Sequence, residues 1–174
     1  MTLAGIELHY LVNQISEAAQ DYYVSNIYGV TKDSILFKLH HTEKPDIYMM
    51  VSTSGVWLTS VKINQMEPNR LLKRLRNDLL RLKIKKIEQI ASERIAYFTF
   101  AGFDKEYVIV AEFFGEGNIL LCNNEMKILA LQHSIAAYPP IFWKHFSLIK
   151  SNTYKILSFV KFLDIIDCIF SIKI

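Results

Sequence analysis

The sequence predicts an α+β fold, an antiparallel β-sandwich with helices at its flanks. Two observations carry this. Short runs rich in β-branched and aromatic residues alternate with turn residues in two groups, and a segment with apolar residues at helical spacing precedes each group. Short hairpin connections make neighbouring strands antiparallel. The apolar faces of two such sheets are buried by packing on each other. With 174 residues, 51% of them hydrophobic, the chain has enough apolar side chain for a sizeable core.

The first helix is expected over residues 3–19, with Thr2 as its cap. Leu3, Tyr10, Leu11, Ile15 and Ala18 form one broad apolar face, and Glu7 and Gln14 fall inside that arc. An ionised carboxylate in a core needs a partner, so Glu7 reads either as a core salt bridge or as a ligand-facing acid. Strands are expected over 22–30, 35–40, 46–51 and 56–59, separated by turn residues such as Ser52-Thr53-Ser54-Gly55. Pro68 then opens a second helix, to about Leu82, with the stripe Leu71, Leu72, Leu75, Leu79 and Leu82. A second run of strands covers 85–90, 95–100, 107–114, 118–122 and 127–132. Glu112, within an apolar strand, raises the same question as Glu7. No internal repeat is visible.

Composition shifts near residue 136, which sets the expected domains at 1–135 and 136–174. The second part is a divergent apolar tail, either helical over 152–170 or poorly ordered. Lys161, Asp164 and Asp167 interrupt it, which disfavours a bilayer span and fits a helix lying on a surface. It is expected to dock weakly.

Ordinary catalytic equipment is absent from the pattern. Cys122 and Cys168 make no CxxC spacing, and His9, His40, His41, His133 and His145 form no metal-ligand pair, so neither a metal nor a cofactor is expected. There is no GxxxxGK[ST] loop, no GxGxxG fingerprint and no GxSxG elbow. No secretory signal opens the sequence, and a cytoplasmic location follows as an expectation. The net charge of +3 is small, but Arg70, Lys73, Arg74, Arg76, Arg81 and Lys83, continued by Lys85 and Lys86, are concentrated around the second helix against Asp78 alone. Clustered cations suit a nucleic-acid phosphate backbone, and the competing reading is a solvated helix face. Glu93-Arg94, between two strands, can meet base edges or phosphates, or form a structural ion pair at a hairpin.

These features occur in a recognisable order. Val24-Ser25-Asn26-Ile27-Tyr28, Ile35-Leu36-Phe37-Lys38-Leu39, Val56-Trp57-Leu58-Thr59, Leu75-Arg76-Asn77-Asp78-Leu79 and Ile87-Glu88-Gln89-Ile90 lead to Glu93-Arg94-Ile95. The run 112–121 and then Lys127-Ile128-Leu129-Ala130-Leu131 follow. From about residue 3 to 135 the chain resembles the NFACT-N domain of the RqcH/NEMF family, which includes proteins historically labelled fibronectin-binding A. The resemblance implies a fold similar to the N-terminal domain of formamidopyrimidine-DNA glycosylases. It also implies a non-enzymatic module that binds tRNA and the large ribosomal subunit carrying peptidyl-tRNA, in rescue of stalled ribosomes. Glu93-Arg94 matches the family's D-R pair, and Glu7 matches a family acid on the first helix, each with Glu for Asp. These three residues are the implied tRNA contacts. No small-molecule substrate is implied.

The family's helix-hairpin-helix region, coiled coil and C-terminal RNA-binding domain have no counterpart in residues 136–174. The chain is therefore expected to be a truncated, frameshifted or stand-alone domain, without tail synthesis of its own. The alternatives are a glycosylase-like DNA-processing enzyme, which would need a nucleophilic amine that Met1-Thr2 does not resemble, and a fibronectin-binding surface adhesin.

Overall fold

The computed structural model describes residues 4–60 and 66–133. Its elements run α1 (Gly5–Ala19), β1 (Tyr23–Thr31), β2 (Ser34–His40), β3 (Ile47–Ser52), β4 (Gly55–Thr59), α2 (Arg70–Leu79), β5 (Lys83–Gln89), β6 (Ile95–Ala101), β7 (Glu106–Glu112), β8 (Asn118–Asn123) and β9 (Ile128–Leu131). The α+β class and every expected strand are present. The expected tail, with its docking and its helix over 152–170, lies outside the described residues, as does Thr2.

The strands hydrogen-bond in the order β4-β3-β2-β1-β5-β6-β7-β8-β9, all antiparallel. The junction at the centre is narrow, because β1 and β5 share the single register pair Tyr23–Lys83. Across it, Phe37 of β2 and Phe100 of β6 stack with ring centroids 6.0 Å apart. Three inter-strand steps would separate β2 from β6 by roughly 14 Å in a flat sheet. The ribbon therefore folds over at β1 and β5, and its halves face each other as a sandwich around Phe37, Phe98, Phe100, Leu39, Met49 and Ile109.

A helix followed by an antiparallel meander occurs twice, α1 with β1–β4 and α2 with β5–β9. Each helix packs on the first strand of the other unit and the last strand of its own: α1 on β5 and β4, α2 on β1 and β9. Each thereby closes one open side of the sandwich. This repeat of topology has no counterpart in the sequence, since the two helices share no residue pattern beyond an apolar stripe.

Four of the five expected stripe residues of α2, Leu71, Leu72, Leu75 and Leu79, are buried on it, but the helix ends at Leu79, and Leu82 follows in the turn before β5, partly buried against the core. Its start differs. Asn69 is the cap, accepting the Leu72 amide at 2.8 Å through its side chain, so Pro68 precedes the helix instead of opening it. The face of α1 is rotated from the expected one. Leu8, Val12, Ile15 and Ala19 are buried, while Ile6 and Tyr10 are 68% and 64% exposed. Glu7 is exposed too, so it is not a core acid. In a helix that starts at Gly5 it occupies the third position, and its carboxylate accepts the Ala4 amide at 2.7 Å.

Candidate RNA interface

The sandwich has two ends, set by the run of β5. At one end, β5 and β6 are joined by a turn that carries Glu93 and Arg94. Ala91 in this turn has φ 49, and the Glu93 amide donates to Ile90 O at 3.0 Å. Gln89 ties the turn to the start of α1: its Nε2 donates to Gly5 O at 2.9 Å and to Glu93 O at 2.7 Å. The Phe113 amide donates to Arg94 O at 2.8 Å. Gly5 admits this close approach, because a Cβ there would lie 2.6 Å from Ser92 O. The backbone of Glu93 and Arg94 is thus held from three sides. Their side chains form no ion pair with each other or with any other described residue. Glu7 lies on the same α1 terminus that Gln89 grips. Gln89 escaped the sequence reading as a site residue, and its only signal is a polar side chain within the motif Ile87-Glu88-Gln89-Ile90.

The six backbone-contact candidates do not form one patch. Arg70, Lys73 and Arg74 line a shallow depression of about 310 Å³ between α2 and Leu129 and Ala130 of β9. Arg74 is partly engaged through its ion pair with Asp78 one turn on. Arg76 instead points inward, its Nε donating to Ile27 O at 2.7 Å, which pins α2 to β1. Arg81 and Lys83 stand at the far end of α2. Lys83 pairs with Asp21 at 2.6 Å, and this hydrogen bond holds the lysine above and the aspartate below its ordinary pKa.

Glu112 of β7 is 4% exposed, and no described residue hydrogen-bonds its carboxylate. Burial pushes its pKa up to about 7. The Cys122 thiol is likewise pushed up to about 12, by burial first and then by the charge of Glu112. Among the described residues no three His, Cys, Asp or Glu side chains gather as metal ligands, and no helix is long and apolar enough to cross a membrane.

Residues 4–138 match the family described as NFACT N-terminal and middle domains. The chain belongs to this family. Among curated relatives, ribosome quality control complex subunit 2 of Saccharomyces cerevisiae is 24% identical over 136 residues, covering 76% of this chain and 13% of the yeast protein. The ribosome quality control complex subunit NEMF homolog of Drosophila melanogaster is 27% identical over 109 residues, 61% of this chain and 11% of the fly protein. An archaeal homologue from Methanocaldococcus jannaschii, aRqcH, is 46% identical over 56 residues, 32% of this chain and 8% of its own length. The chain thus spans only about an eighth of the yeast relative. Among solved structures, the N-terminal domain of the fibronectin-binding protein PavA from Streptococcus pneumoniae superposes with a TM-score of 0.71 at 20% identity, covering 79% of this chain and 57% of that one. The corresponding Streptococcus suis structure gives 0.70 at 21% identity, with 79% and 57% covered. These two establish the shared fold.

Proposed function

We propose that this NFACT-N chain is a non-enzymatic tRNA-binding module of ribosome-associated quality control, acting in the cytoplasm on large subunits that carry peptidyl-tRNA. The observation that carries the reading is the Glu93-Arg94 turn. Its backbone is fixed by Gln89 and Phe113 while both side chains lack a partner among the described residues. A fixed backbone that presents a guanidinium and a carboxylate without such partners offers hydrogen bonds to bases or phosphates from a defined point of the surface. Arg70, Lys73 and Arg74 supply a sequence-independent attraction to phosphate along α2. The named roles of the yeast and fly relatives in ribosome quality control support the same reading. An adhesin role gains nothing from the streptococcal structures, since likeness at 20% identity speaks to fold alone.

Recovery on large subunits, with and without peptidyl-tRNA, tests this. The full chain should be retained on subunits carrying peptidyl-tRNA and depleted from empty ones. Equal retention of an unrelated domain of matched charge would remove the reading.

A further inference from the structure

At the end of the sandwich opposite Glu93-Arg94, both helices terminate in the same way. Asp21 follows α1 with φ 70, and Arg81 follows α2 with φ 69. This is the left-handed position where glycine is the residue without a steric penalty. Two residues on from each, Tyr23 and Lys83 form the one register pair that joins the halves. The amides and carbonyls around it are closed, with Val24 N donating to Leu82 O at 2.9 Å, Arg81 N to Val24 O at 2.8 Å and Ile84 N to Tyr22 O at 2.8 Å. The side chains face a groove of about 590 Å³ lined by Asp21, Tyr23, Arg81, Lys83, Lys85 and Phe103.

Two side chains of this groove, Phe103 and Arg81, have no ring or charge partner among the described residues. Phe103, on the β6–β7 turn, is fully exposed, and Tyr23 beside it in the lining is 42% exposed. Arg81 forms no ion pair with a described residue, although Lys83 is engaged by Asp21 and Lys85 by Glu106. An unpaired arginine thus occupies a backbone position that glycine would fill with less strain. Lys83 Nζ lies 5.9 Å from the Tyr23 ring centroid, so the groove already places a cation over an aromatic face. The lining carries three cations against one acid.

We propose that this groove is a second RNA contact, one that stacks an unpaired nucleotide base on Phe103 and Tyr23 while Arg81 holds the adjoining phosphate. Aromatic faces beside cations are the arrangement that binds single-stranded nucleic acid without sequence preference. The groove lies ~20 Å from the Glu93-Arg94 turn, the length of β5. The two sites therefore engage different nucleotides of one RNA. An acidic peptide would use the cations and leave Phe103 idle, which makes Phe103 the residue that separates the two ligands. The proposal rests on the RNA-binding reading above.

Oligouridine carrying 5-iodouridine is the probe, bound to the full chain and irradiated. Crosslinks should map to Phe103 or Tyr23. Phe103→Ala, at a site with no packing to lose, should weaken oligouridine binding about tenfold, the loss typical of one base stack, with an unchanged salt slope. Arg81→Gly should weaken binding severalfold and lower the salt slope by about one, while raising the melting temperature because the backbone strain is relieved. Crosslinks confined to other surfaces, or full affinity in Phe103→Ala, would overturn the proposal. If Phe103→Ala is silent while tRNA binding still depends on Arg94, only this groove falls. If the unaltered chain binds neither tRNA nor oligouridine, the RNA-binding reading falls with it.

Discussion

Phe37 and Phe100 stack at 6.0 Å with their ring planes inclined by 22°, and both are completely buried. One comes from each helix–meander unit, so the pair is a direct packing link between halves whose backbones meet at a single register pair. Phe100→Ala should cost about 3–5 kcal/mol, the range for truncating a buried phenylalanine. Denaturant melts of the two single variants and the double variant should show a coupling energy of about 0.5–1.5 kcal/mol. Additive losses would mean that the rings contribute burial only, and not a specific contact between the halves.

Two glycines of the β7–β8 turn offer a comparison of strain with collision. Gly115 and Gly117 have φ 60 and φ 70, but a Cβ on Gly115 meets nothing within 4 Å, whereas one on Gly117 would lie 2.2 Å from Thr53 O. Thr53 sits in the β3–β4 turn, so Gly117 admits the close approach of two hairpin turns, one from each half. Gly115→Ala should cost about 1 kcal/mol, the left-handed penalty alone. Gly117→Ala adds a backbone collision and should cost clearly more. Equal losses in urea melts would show that the turns separate without cost.

Glu112 should make stability fall as pH rises through neutrality. Its folded pKa of about 7 lies above the unfolded value of 4.5, so the folded state holds the proton more tightly. Below about pH 4.5 the group is neutral in both states and costs nothing. Between about 4.5 and 7 the unfolded state ionises first, and stability declines to a plateau above 7. The full difference is at most about 3 kcal/mol. Glu112→Gln, which stays neutral, should be more stable than the parent at pH 8 and lack this contribution to the pH dependence. Parallel pH profiles for the two chains would show that Glu112 finds a compensating partner.

The strands and the Leu71-Leu72-Leu75-Leu79 stripe were legible in the sequence because period and turn chemistry are local signals. The family was legible from the order of its motifs, down to Glu93-Arg94-Ile95. What the sequence concealed depends on contacts between distant segments. The burial of α1 is set by the β4 and β5 edges, which select Leu8 and Val12 over Tyr10 and leave Glu7 to cap the helix. The basic run near α2 reads as one patch, yet Arg76 turns inward to Ile27 O because β1 lies beneath it. Gln89 fixes the candidate tRNA turn through bonds to Gly5 O, 84 positions away in sequence, and to Glu93 O. The doubled helix–meander topology leaves no trace in residue identity, since packing asks only for apolar positions at the right spacing.

Arg94 and Lys73 should behave differently if the turn makes oriented contacts. Arg94 leaves a backbone held by Gln89 and Phe113, so its side chain starts from a fixed point and makes no ion pair with a described residue. Lys73 is exposed along α2 beside Arg70 and Arg74, where a phosphate can exchange among neighbouring cations. Removing an oriented hydrogen-bonding contact costs about 1–3 kcal/mol. Removing one diffuse cation lowers the salt slope by about 0.7–0.9 and little else at moderate salt. Filter binding of tRNA across a salt series should therefore show Arg94→Ala with a large loss that persists at high salt. Lys73→Ala should show a small loss that vanishes there. Equal losses with equal slopes would mean that Arg94 acts as one more surface charge.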